Sequence, residues 1–177
     1  MRALGPGSVS SILKTILDVV NFVLWIGIGG ASLAIIALLL VSFDPKLLGG
    51  HVLFDGLRIQ GPWLGPLAAA MVVAIDLYLG GAMVIVRNLR SIFTSLIAGD
   101  PFHPANIGRL RMIGGALAVL EVGRYVAAAL AHMMFRGAVH IGGGVDLTTW
   151  FAVLSIFALA EVFREGARLR GEAELTI

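Results

Sequence analysis

The chain contains no cysteine, which excludes disulfides, a thiol nucleophile and any cysteine-ligated zinc or iron–sulfur centre. Charge is scarce too. Only 14% of the 177 residues are Asp, Glu, Lys or Arg, where a soluble domain carries about a quarter. With 58% apolar residues, that scarcity rules out a disordered chain. The net charge is only +2, from 13 basic and 11 acidic residues, so the composition leaves no overall nucleic-acid footprint. The 23 glycines follow no three-residue period, which removes collagen. No HExxH, G-x-S-x-G or Walker sequence occurs, and the triplet Gly142-Gly143-Gly144 lacks the Lys-Ser/Thr of a phosphate loop.

What is present is hydrophobicity in long runs, with a mean hydropathy of +0.95. Four segments, 22–43, 64–86, 112–135 and 147–163, are each apolar enough to cross a bilayer. Backbone groups must be paired within lipid, so all four are expected to be helices. The fold class is therefore all-α: a polytopic four-transmembrane-helix bundle forming one membrane domain over residues 1–177. Ahead of the first span, Val9, Ile12, Leu13, Ile16, Leu17 and Val20 recur at three- and four-residue steps, opposite Ser10, Lys14 and Asp18. Residues 8–21 read either as an amphipathic helix on the membrane surface or as the polar end of one long first helix. No cleaved signal peptide is expected, because the apolar run starts late and is too long.

Basic residues fix the orientation. Arg2 and Lys14, then Arg87, Arg90, Arg109 and Arg111, then Arg164, Arg168 and Arg170 fall on one side. Only Lys46, Arg58 and Arg136 fall on the other. This asymmetry predicts cytoplasmic termini and a cytoplasmic 87–111 loop. The outer loop 44–63 holds Asp55-Gly56 between two apolar strand-like stretches, the pattern of a short extracytoplasmic hairpin. The second outer loop, 136–146, reads as a glycine-rich turn.

The inner loop carries the most specific sequence. Residues 87–99 extend the second helix, Gly99-Asp100-Pro101 breaks it, and Pro104 can open the next one. The stretch from Asn88-Leu89-Arg90 through Ser95-Leu96-Ile97-Ala98-Gly99-Asp100-Pro101-Phe102, with Asn106, Leu110, Arg111 and Ile113-Gly114, resembles the cytoplasmic loop of a bacterial family. So does the ending, from Leu159-Ala160-Glu161-Val162-Phe163-Arg164-Glu165-Gly166-Ala167-Arg168-Leu169 to Glu174-Leu175-Thr176-Ile177. The family is catalogued as domain of unknown function 2975, and the resemblance covers essentially the whole chain. It implies four membrane helices and, from the gene order in many members, pairing with a small Cro/C1-type helix-turn-helix regulator. No catalytic residue is established for it, so none is carried over.

Three charges lie within spans: Asp76, Glu121 and Arg124. Counted from the inner ends of their spans at 1.5 Å per residue, they sit at depths of roughly 15, 14 and 18 Å. A charge in that layer is costly and expected to be paired. An intramembrane network of the three would either lock spans two and three together or respond to protons or ions. Beyond the membrane, Arg87, Arg90, Asp100, Asn106, Arg109 and Arg111 of the loop are candidates for docking a partner. Glu161, Arg164, Glu165 and Arg168 of the last helix join them, with packing and an ordinary solvated helix end as the other readings. His51, His103, His132 and His140 cannot all share one site, and no metal, cofactor or catalytic residue is expected.

The function expected is a small membrane protein that offers its inner loop and C-terminal helix to another protein. That protein would be a small helix-turn-helix regulator or another membrane subunit. Self-association also fits; enzymatic activity and direct DNA binding do not. The alternative is a small ion- or proton-coupled transporter using Asp76, Glu121 and Arg124.

Overall fold

A computed structural model describes residues 9–43, 64–135 and 146–174. Every regular element among them is a helix: α1 Val9–Phe43, α2 Leu64–Ile97, α3 Pro104–Phe135 and α4 Leu147–Glu174. All four are long and apolar enough to cross a membrane. The expected outer hairpin at 44–63 and the glycine turn at 136–145 lie outside the described residues.

The helices exceed what a bilayer needs. The 34 residues of α2 extend roughly 50 Å, against a hydrocarbon core of about 30 Å. The excess is the amphipathic stretch after Val86. At the other end of the sequence, α1 runs unbroken through positions 21 and 22. A separate surface helix over 8–21 is therefore not set off by a break, and of the two readings the helix bounds match the single long helix. The apolar set of that segment is mostly outward: Leu17 is buried, but Ile12, Leu13, Ile16 and Val20 are exposed.

The described residues fall into two compact units. One holds residues up to Phe22 and from Gly81 onward; the other is Val23–Gly80. In the first, α3 and α4 pack along each other. Its core is Ile92, Leu110, Ile113 and Ala160, surrounded by Ile85, Leu89, Leu96, Leu117, Ile156 and Phe163. These residues draw α2, α3 and α4 together around the 87–111 loop. Close approach depends on missing side chains. A Cβ on Gly114 would meet the Phe157 ring at 3.0 Å, and one on Gly166 would meet Phe102 at 2.6 Å. Phe102 also tilts against Phe163, ring centroids 5.5 Å apart.

Outward faces carry large apolar side chains in quantity. Phe22, Trp25, Leu33 and Leu77 are exposed, as are Met133, Phe151 and Leu154. Apolar surface on this scale does not suit water. It suits acyl chains, and the protein is a small membrane protein.

Candidate functional site

The 87–111 loop is built by local hydrogen bonding. α2 ends in a Schellman motif: Asp100 N–H donates to Ser95 O at 3.0 Å, and Gly99 N–H to Leu96 O at 3.0 Å. Gly99 takes the left-handed conformation this closure needs, with φ of 83°. The next helix begins five residues on, at Pro104. His103 caps it, its Nδ1 accepting from Ala105 N–H at 3.2 Å and its carbonyl from Asn106 N–H at 2.8 Å. Pro104 fills the first helical position, where a missing N–H costs nothing. Gly99→Ala is expected to destabilise the protein by about 1–2 kcal/mol, since a Cβ is strained at positive φ. Gly99→Asn should retain most of the stability; thermal unfolding of the two variants in detergent measures the difference.

Asn106 ties the two helices across this turn, and it is fully buried, at 0% exposure. Its Nδ2 donates to Ser95 Oγ at 2.7 Å and to Pro101 O at 3.0 Å. Its Oδ1 accepts from Arg109 Nη1 at 2.7 Å, and the same nitrogen donates to Ser91 O at 3.2 Å. Ser95 Oγ in turn donates to Ile92 O at 2.8 Å. The side-chain amide of Asn106 thus has both donors and its acceptor engaged, leaving no buried polar group idle.

Charge braces the same region. Arg90 Nε pairs with Asp18 Oδ1 at 2.5 Å, joining α2 to the start of α1. Arg170 Nη1 pairs with Asp100 Oδ1 at 2.5 Å, joining α4 to the turn. The tail therefore meets the loop as a cation on a carboxylate. Within α4, Glu161 pairs with Arg164, and Glu165 with Arg168 at 2.6 Å. Both are exposed i,i+3 pairs of the kind that contributes little. Two concavities adjoin along α2. One, of about 320 Å³, is lined by Lys14, Arg87, Arg90, Ser91 and Thr94. The other, of about 260 Å³, shares Ser91 and Thr94 and adds Ser95, Ala98, His103 and Arg109.

Of the intramembrane charges, Glu121 and Arg124 are brought together: Arg124 donates through Nη2 to Oε1 at 2.6 Å and through Nε to Oε2 at 3.1 Å. Glu121 is only 6% exposed. The guanidinium also lies over the Tyr125 ring, 4.9 Å from its centroid. Tyr125 Oη accepts from Asp146 N–H at 3.1 Å and from Trp150 Nε1–H at 3.2 Å, linking α3 to the start of α4. Asp146 caps α4, accepting from Thr148 N–H at 2.9 Å and Thr149 Oγ1 at 2.9 Å. These donors, Thr149 first, hold its carboxyl below the usual carboxylate range.

Asp76 belongs to the other unit. There its Oδ2 accepts from Ser32 Oγ at 3.1 Å, while Oδ1 is buried without a hydrogen-bond partner among the described residues. Sequence reasoning named the three charges but missed Ser32, Tyr125 and Trp150. A hydroxyl or indole in an apolar helix gives no periodic signal, although each needs a partner once buried. Of the loop residues, Asn106 and Arg109 hold the turn from inside, Arg90 and Asp100 form ion pairs between elements, and Arg87 and Arg111 are exposed. His103 and His132 are both exposed, while His51 and His140 lie outside the described residues.

A family model described as "Protein of unknown function (DUF2975)" matches residues 52–177, and the chain belongs to that family. The match takes in α2, α3 and α4 and begins after α1, so it is shorter than the whole-chain resemblance read from the sequence. No curated protein and no solved structure matches the chain.

Proposed function

We propose that this membrane protein is a non-enzymatic interaction partner that holds its inner loop and C-terminal helix out to a regulator or a second membrane subunit. Both termini and the 87–111 loop would face the cytoplasm of a bacterial inner membrane. The observation that carries the reading is the bracing of the loop. Asn106 and Arg109 fix the turn from within, while Arg87, Arg111, Glu161, Arg164, Glu165 and Arg168 stay exposed around it. A rigid frame with outward charges binds at a low ordering cost, which is what a docking surface needs.

The ion pairs decide which substitutions test this. Arg90 and Arg109 have structural partners, so their loss would confuse binding with folding. Arg111→Glu combined with Arg168→Gln touches only exposed groups, and the pairs that Arg168 makes with Glu165 and Glu172 along its own helix contribute little. Full-length tagged protein, purified from its native cells in mild detergent, is expected to retain a stoichiometric partner that the double variant loses at unchanged helicity. Retention of the same partner by that variant would remove the loop and tail as its docking surface.

A second reading has one observation in its favour, the unpartnered Asp76 Oδ1 within apolar helices. An ion- or proton-coupled transporter using Asp76, Glu121 and Arg124 would lose flux in liposomes on Asp76→Asn. A purely structural aspartate would not.

A further inference from the structure

The concavity between the start of α1 and the inner end of α2 shares Arg87 with the docking frame and combines it with groups that frame does not include. Its walls present Lys14, Arg87 and Arg90 together with the hydroxyl residues Ser91 and Thr94. Arg90 is held through Nε by Asp18, so that pair is close to neutral and keeps the guanidinium in place. Lys14 and Arg87 make no ion pair among the described residues, and their two charges set the sign of the groove. A compact ammonium beside planar guanidinium groups is a common way to hold a phosphate, which takes several charge-assisted hydrogen bonds at once.

Position narrows the ligand. Lys14 precedes the apolar run 22–43, and Arg87 is the first charge after the run ending at Val86. Both therefore stand where hydrocarbon gives way to headgroups. Two turns beyond Lys14 along α1, and one turn past Asp18 on the same side, Phe22 exposes its ring at the head of the apolar run. A lipid offers the matching pair of groups, an anionic phosphate and acyl chains directly below it. The volume agrees: about 320 Å³ lies at the small end of ligand cavities, room for a headgroup rather than a large cofactor. Toward Ser95, His103 and Arg109 the polar surface continues into the second concavity, which can take the headgroup's hydroxyls.

We propose that the groove lined by Lys14, Arg87, Arg90, Ser91 and Thr94 seats the phosphate headgroup of an anionic phospholipid from the leaflet facing the 87–111 loop. Such a lipid would tie α1 to α2 beyond what Asp18 and Arg90 achieve. Lys14 lies before the stretch that the family match covers, so this chain supplies part of the seat from its own first helix.

Native mass spectrometry of the full chain in neutral detergent tests it, with phosphatidylglycerol and phosphatidylcholine at equal concentration. The wild-type protein is expected to retain phosphatidylglycerol in preference. Lys14→Gln with Arg87→Gln should cut that preference about tenfold, with the helical circular dichroism unchanged because neither side chain has an ion pair among the described residues to lose. The charge-conserving pair Lys14→Arg and Arg87→Lys should keep it. Equal retention of the two lipids by the wild type, or an unchanged preference in the neutralised variant, overturns the proposal. Displacement of phosphatidylglycerol by equimolar glycerol 3-phosphate overturns the lipid as occupant and assigns the groove to a soluble phosphate ester. No protein partner enters the assay, so its outcome is independent of the docking reading.

Discussion

Arg124→Leu is expected to lower the unfolding midpoint of the detergent-solubilised protein by roughly 10 °C. The reason lies in what remains. Glu121 keeps its carboxylate, nearly buried on α3, after losing both of its guanidinium hydrogen bonds. Tyr125 cannot compensate, because it brings one hydroxyl and no charge. Removing one member of a buried pair is far worse than removing both. The pair Glu121→Gln with Arg124→Leu should therefore recover most of the loss, and Glu121→Gln alone should be milder than Arg124→Leu. Heating the three variants side by side checks the order. If Arg124→Leu and the double variant unfolded together, the Glu121–Arg124 pair would carry no coupling and the loss would be one of packing.

Different physics made different parts of this architecture legible. The four helices could be read because a bilayer demands long, uncharged, fully hydrogen-bonded segments, and 22–43, 64–86, 112–135 and 147–163 satisfy that without further information. Helix punctuation was legible as well: Gly99 and Pro104 have backbone preferences that mark a stop and a start, and α2 and α3 stop and start there. Partner choice was not legible. Glu121 and Arg124 are i,i+3 on one helix, so local spacing brings them together. Asp18–Arg90 and Asp100–Arg170 join residues far apart in sequence, and any of several arginines would have matched each acid equally well on paper. The direction of amphipathic faces also escaped the sequence. Leu17 and Ile16 share one apolar pattern, yet one is buried and the other exposed, because in a membrane an apolar side chain is content against lipid or protein. Periodicity tells water from non-water, and lipid counts as non-water.

Asn106→Ala is expected to destabilise the protein by about 2–4 kcal/mol, a large effect for one neutral side chain. Truncation takes one partner each from the Pro101 carbonyl, the Ser95 hydroxyl and a guanidinium nitrogen of Arg109, around a side chain that is itself fully buried. It also frees the turn, since the amide spans Pro101 in the turn, Ser95 on α2 and Arg109 on α3. Asn106→Asp distinguishes hydrogen bonding from volume. A carboxylate keeps the shape and strengthens the bond with Arg109, but it cannot donate to Pro101 O and places negative charge against that carbonyl. A loss is therefore expected despite the added ion pair, and it should shrink at acid pH, where a protonated carboxyl regains one donor. Ser95→Ala removes a single contact and should cost less than Asn106→Ala. The consequence reaches function through order. If the 87–111 loop acts as a preformed surface, Asn106→Ala should weaken partner capture while the exposed charges remain intact, and hydrogen exchange at residues 95–106 should accelerate with it. Capture that survives a loosened turn would mean the partner reads the charges alone.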